Sequence, residues 1–267
     1  MAPFQYPFMT DALYVGLFVA FLCALYSCLL ILKGWSLMGD ALSHAILPGI
    51  VIAHWLNIPI QIGAFGAGIF CSYAAVEIKN RTKVKEDTSL GIVFTGMFAL
   101  GLVLFTKTHS ALHLDHILFG NILGLVPSDR LEIFSLGSAG LILFFIFHKN
   151  ILLTIFDPTF AKGIGIKIKA YQYLLLGLVT LTIISALKAV GIILVIAMLI
   201  TPGSIGFLIS KNFYKMAAIA CAVACVSTLV GIYLSFYWNS SPAATIVLVQ
   251  SIFFIFAAGV NRWKTSF

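Results

Sequence analysis

The chain is built from apolar runs of about twenty residues separated by short polar loops. Twenty residues of helix reach ~30 Å, the thickness of the bilayer hydrocarbon. Of 267 residues, 61% are hydrophobic and 9% charged, where a soluble domain carries roughly 25% charged residues. The runs are continuous and lack the dyad alternation of a transmembrane barrel. In hydrocarbon each backbone N–H and C=O must find its partner within the segment, which leaves the helix. The sequence therefore predicts an all-α, polytopic membrane protein with no soluble domain.

Nine spans are predicted, at about 12–32, 38–56, 58–76, 89–106, 131–149, 170–188, 190–210, 215–237 and 243–260. The second is barely long enough and contains Asp40, His44 and Pro48-Gly49, so it is expected to be broken or irregular. Merging or demoting a short span near the N-terminus would give eight. The piece Ile117–Val126 is too short to cross and is expected to be re-entrant or interfacial. Glycines in Gly63-Ala64-Phe65-Gly66-Ala67-Gly68 and the series Gly91, Gly96, Gly101 predict close helix approach in a compact bundle. The whole of 1–267 reads as one transmembrane domain.

The net charge of +7 reflects basic residues in short loops, which is a topology signal and excludes a nucleic-acid surface. With nine alternating spans, one side holds Lys33, Lys79, Arg81, Lys83, Lys85, Lys149, Lys162, Lys167, Lys169, Lys211, Lys215, Arg262 and Lys264. Lys107, Arg130 and Lys188 fall on the other. The positive-inside rule then puts the C-terminus in the cytoplasm and the N-terminus outside. Met1 to Asp11 carries no Lys or Arg, so the first run lacks a signal-peptide n-region and is expected to stay as a helix. Cys23, Cys28, Cys71, Cys221 and Cys225 lie in apolar segments without CxxC spacing and read as small core residues.

Against this background Asp40 and His44 need a reason. An ionised Asp in hydrocarbon costs roughly 3 kcal/mol even on translocon scales. At i and i+4 the two side chains share one helix face, with Ser43 close by. A carboxylate beside an imidazole can hold a first-row divalent metal. The plainer alternative is an intrahelical Asp–His contact that fixes a broken helix. Asp40 is the one acid deep in a predicted span, and intramembrane acids mark pathways by default, which favours the metal reading. One Asp and one His make a thin site, so a second chain would have to complete it. Ser43 is expected to serve packing more than ligation.

The segment Lys33-Gly34-Trp35-Ser36-Leu37-Met38-Gly39-Asp40-Ala41-Leu42-Ser43-His44-Ala45-Ile46-Leu47-Pro48-Gly49 resembles the signature of the manganese/iron/zinc ABC-importer permease family. Further matches follow in order: Glu86 to Phe94, His116 to Leu123, Phe156 to Gly165, and Val190-Gly191 through Thr201-Pro202-Gly203. One departure is Gly203-Ser204, where the family often has two alanines. The resemblance implies a type II importer fold and a permease dimer, formed with a second copy or a close paralogue. It implies two cytoplasmic ABC ATPase subunits and an extracytoplasmic metal-binding protein, in a bacterial-type inner membrane. The Gly-Asp-Ala-Leu-Ser-His form looks like the manganese/iron branch, although zinc accepts the same ligands. No cofactor is expected to be permanently bound; Mn²⁺ or Fe²⁺, with Zn²⁺ admissible, is cargo.

Other sites divide between functional and structural readings. Asp157-Pro158 reads as an N-cap and first turn, followed by Phe160, Ala161, Lys162, Gly163 and Gly165. Local features equally fit an interfacial turn; by resemblance this is the coupling helix that docks on the ATPase. His109, His113, Asp115 and His116 form a polar cluster, either a metal-collecting mouth or docking surface, or a solvated loop, which is favoured. Pro202-Gly203 is expected to interrupt the seventh span, as a gate hinge or a static kink. Glu86-Asp87-Thr88 reads as capping.

The expected function is the membrane permease subunit of an ATP-driven divalent-metal importer. No GxxxxGK[ST] loop is present, so ATP hydrolysis would belong to separate subunits and the chain is not itself an enzyme. The rival is a proton-coupled secondary metal transporter acting without an ATPase, which the sparse membrane acids disfavour. An intramembrane metalloprotease is disfavoured because there is no HExxH.

Overall fold

A computed structural model describes residues 6–82, 86–107, 120 and 122–265. All regular elements among them are helices: α1 (Pro7–Lys33), α2 (Met38–Ala45), α3 (Leu47–Trp55), α4 (Ile60–Arg81), α5 (Glu86–Thr106), α6 (Pro127–Phe156), α7 (Pro158–Gly163), α8 (Ile168–Ile209), α9 (Phe213–Trp238) and α10 (Pro242–Thr265). Seven of these, α1, α4, α5, α6, α8, α9 and α10, are long and apolar enough to cross a membrane. The nine spans expected from the sequence differ from this at two places.

The first is the segment expected as one irregular span, 38–56. It forms the two short helices α2 and α3, of 8 and 9 residues, joined at Ile46. At 1.5 Å per residue neither exceeds ~14 Å, so neither crosses alone. Pro48 accounts for the split, since it has no N–H to donate to the carbonyl of His44. The helical direction is nearly kept, because Ile46 itself has φ −74° and ψ −16°.

The second is α8, whose 42 residues would reach ~63 Å, about twice the bilayer thickness. The element is broken at Gly191, with φ 71° and ψ 172°. That region of backbone space is essentially reserved for glycine. The halves 168–190 and 192–209 correspond to the sixth and seventh predicted spans. Pro202, where an interruption was expected, is instead carried inside the second half. The Gly203 N–H, one residue on, donates to the Ser27 Oγ of α1 at 2.9 Å. A neighbouring helix thus pairs the backbone beside the proline, which is how membrane helices tolerate one.

The chain forms two compact units, each assembled from separated segments. One unit comprises 1–36, 113–137 and 185–267. In it α1 packs on α9 and α9 on α10. Its core holds Leu22, Tyr26 and Leu29 of α1, all fully buried, with Ala220 and Ile232 of α9. Helix α1 starts with Pro7 in its first turn and ends at Gly34, φ 76°, whose N–H reaches the Ile31 carbonyl while Trp35 N–H donates to Leu30 O at 2.8 Å. Two of the three basic residues expected outside are neutralised within this unit. Arg130 pairs with Asp11, and Lys188 Nζ lies 2.7 Å from Glu132 Oε2 and 3.3 Å from Asp129 Oδ1.

The other unit comprises 37–112 and 138–184. Here α2 and α3 pack against α4 and α5. Gly49 of α3 and Gly63 of α4 face each other so closely that a Cβ on either would overlap the other's carbonyl oxygen. Gly101 of α5 lies against Pro48 in the same way. Of the glycines expected to mediate packing, Gly63, Gly68 and Gly101 do so, while Gly66, Gly91 and Gly96 have open space where a Cβ would stand.

Candidate functional site

Helix α2 presents Asp40 and His44 and little else. Met38, Gly39, Ala41, Leu42, Ser43 and Ala45 are buried, so the two ionisable residues are its only part-exposed positions. Their i, i+4 spacing sets the side chains side by side, His44 Nε2 lying 3.3 Å from Asp40 Oδ1. That is at the long limit of a hydrogen bond. The side chains keep 28% and 36% exposure for His44 and Asp40 respectively, so the pair is open on one side.

The other imidazole nitrogen, His44 Nδ1, is buried and has no hydrogen-bond partner among the described residues. Phe98 of α5 approaches the ring edge-on, with centroids 5.1 Å apart and planes at 74°. Packing thus limits how far the imidazole can turn. Ser43 points elsewhere: fully buried, its Oγ donates to the Gly39 carbonyl at 2.7 Å. It is a packed, backbone-bonded residue, in keeping with the packing role expected for it. Among the described residues no group of three or more His, Cys, Asp and Glu side chains lies close enough to hold a metal ion. The pair can therefore supply one carboxylate and one imidazole, a partial coordination sphere for a hard-to-borderline divalent cation.

In the same unit, α7 is the short helix foreseen at Asp157. The Asp157 side chain caps it, Oδ1 accepting from Phe160 N–H at 2.8 Å, and Pro158 stands in the first turn. Ala161 is fully buried and anchors the helix. Phe156, Phe160 and Ile164 project outward at 58%, 56% and 56% exposure. Gly163 ends the helix, and Gly165 turns the chain with φ 84°. Phe156 at the end of α6, Phe160 on α7 and Ile164 just past it thus leave three large apolar side chains exposed around the capped helix.

In the first unit, the break at Gly191 is met by Gly120, itself at φ 64°. A Cβ on Gly120 would fall on the backbone of Val190 and Gly191. The sequence signalled both glycines within motifs yet gave no sign that they touch. Pro202 and Gly203 lie in a continuous helix held to Ser27. His109, His113, Asp115 and His116 lie outside the described residues, as do 117–119 and 121 of the piece Ile117–Val126; its described part, 120 and 122–126, is non-helical. Phe98 was not identified from the sequence; one phenylalanine among 23 carries no local signal.

The ABC 3 transport family profile matches residues 5–261, nearly the entire chain. The chain belongs to the ABC 3 transport family. This ABC 3 transport protein is 47% identical over 262 residues to the chelated iron transport system membrane protein YfeD of Yersinia pestis, covering 98% of this chain and 88% of that one. It is also 47% identical over 255 residues to the manganese transport system membrane protein MntB of a Synechocystis strain, covering 96% and 83%. Among solved structures it resembles PsaBC from Streptococcus pneumoniae in complex with Fab, with a TM-score of 0.85, 35% identity, and coverage of 95% and 91%. An inward-facing metal-chelate type ABC transporter shares the fold, with a TM-score of 0.69 at 16% identity over 96% and 85%. The family assignment makes the chain an ABC-transporter membrane component, and the secondary-transporter alternative falls away.

Proposed function

We propose that the chain is the permease subunit of an ATP-driven importer of Mn²⁺ or Fe²⁺, with Asp40 and His44 touching the ion in passage. The observation that carries this is the exposure pattern of α2, where the only open positions are an acid and an imidazole 3.3 Å apart. Support comes from relatives named for iron and for manganese transport. Zn²⁺ is chemically admissible at the same pair.

Two ligands hold a divalent ion weakly, and a conducting site must release what it binds. A second permease chain, identical or a close paralogue, would bring another such pair, giving up to four ligands near the shared axis. The ion would be delivered by an extracytoplasmic binding protein. ATP hydrolysis would belong to cytoplasmic ABC subunits docked on α7, through Phe156, Phe160 and Ile164. This chain makes no covalent chemistry; it supplies ligands, excludes lipid from them and changes access.

The topology that suits this role has nine crossings in a single domain: α1, α2 with α3, α4, α5, α6, the two halves of α8, α9 and α10. Thirteen basic residues against three then place the C-terminus in the cytoplasm and the N-terminus outside, in a bacterial-type inner membrane. Reconstitution tests the proposal. Proteoliposomes holding the permease, its ATPase and its binding protein should take up ⁵⁴Mn or ⁵⁵Fe only with ATP. Uptake by the permease without an ATPase would overturn it.

A further inference from the structure

A second feature has nothing to do with the metal path. The second half of α8, the first half of α9 and the last turns of α10 enclose an apolar cleft of about 420 Å³. That volume lies within the range of ligand clefts, roughly 300–1,000 Å³. Its walls include Ile205 and Ile209 of α8, Ala222 and Val226 of α9, and Phe253 and Ala257 of α10. Asn261 is its one amide-bearing residue and stands toward the end of α10.

Cations gather at the same end of the three helices. Lys211 follows Ile209 in the short link to α9, Lys215 lies in the first turn of α9, and Arg262 follows Asn261 directly. All three are exposed. Among the described residues neither Lys211 nor Lys215 forms an ion pair, in contrast to Arg130 and Lys188. No Asp or Glu follows Asp157 in the sequence, so α8, α9, α10 and the links between them carry no acidic side chain of their own. An apolar cleft between membrane-spanning helices, with cations at one end, matches an amphiphile that has a long hydrocarbon tail and an anionic head.

We infer that this cleft binds an anionic phospholipid, one acyl chain lying among Ile205, Val226 and Phe253 and the phosphate resting on Lys211 and Lys215. A second copy of the chain fits the same surface less well. A two-fold contact uses the same patch on both copies, so with its axis along the membrane normal it would bring a second set of Lys211, Lys215 and Arg262 to the same end of the interface, and like charges repel.

Native mass spectrometry of the full-length chain in its transporter complex tests this, with phosphatidylglycerol and phosphatidylcholine of identical acyl chains as probes. Phosphatidylglycerol should be retained preferentially, by about fivefold for each lysine engaged. The Lys211→Ala/Lys215→Ala variant should bind both lipids alike, at the wild-type phosphatidylcholine level. Filling the cleft with Val260→Phe, or independently with Ala222→Phe, both at exposed lining positions, should reduce retention of both lipids while the melting temperature holds. Equal binding of the two lipids by wild type, or an undiminished preference in the double-lysine variant, would overturn the proposal. So would unchanged lipid retention in both cleft-filling variants, including the case where they dissociate the permease dimer instead.

Discussion

Gly49 and Gly63 meet backbone to backbone, α3 against α4, with no room for a Cβ on either. This contact helps hold the broken segment in place, because helices of 8 and 9 residues are marginal on their own and depend on packing. Gly49→Ala or Gly63→Ala should therefore destabilise the protein by about 1–3 kcal/mol, the usual cost of overpacking. Gly66→Ala, which meets nothing within 4 Å, serves as the control and should leave the melting temperature in detergent unchanged or slightly raised.

The same logic applies to the break in α8. At φ 71° and ψ 172°, Gly191 occupies backbone space that alanine enters at a cost of about 1–3 kcal/mol. Gly191→Ala should lower stability measurably, whereas Gly177→Ala in the other half of α8, with open space at its Cβ, should be neutral or stabilising. Thermal unfolding of the purified chain distinguishes the two.

Ser27 offers a third check. Its hydroxyl accepts from Gly203 N–H in a fully buried setting. Ser27→Ala leaves that donor without its interhelical partner and should cost about 1–3 kcal/mol. Hydrogen exchange at Gly203 should accelerate in the variant, with protection at distant helices retained.

Helix α7 separates stability from docking. Asp157→Ala removes an N-cap worth about 1 kcal/mol, so α7 should fray. Phe160→Ala alters an exposed side chain and should leave the permease melting temperature unchanged, yet weaken co-purification with the ATPase. Undiminished ATPase retention in a Phe156→Ala/Phe160→Ala double variant would remove α7 from the docking surface.

The helical class was legible because hydrocarbon leaves the backbone few choices, and α7 because a cap, a proline and glycines are local signals in Asp157–Gly165. The split at Pro48 was legible for the same reason. What escaped the sequence depends on distant partners. Pro202 reads as an interruption until Ser27 is seen pairing the Gly203 N–H beside it. Gly191 stood in a motif beside the predicted boundary between the sixth and seventh spans, but its backbone conformation and its contact with Gly120 needed coordinates. Phe98 bears on His44 only through packing between α2 and α5. The Asp40–His44 pair was found by its cost; its exposure, and the withdrawal of Ser43 from it, needed coordinates.

The most direct test of the central claim is ATP-driven ⁵⁴Mn and ⁵⁵Fe uptake by proteoliposomes of the assembled transporter carrying Asp40→Asn or His44→Gln. Both substitutions keep the side-chain size and sit at part-exposed positions, so assembly and melting temperature should match wild type. The account predicts uptake at the level of ATP-free controls for each variant, with ATPase subunits still bound. Wild-type uptake in both variants would contradict it.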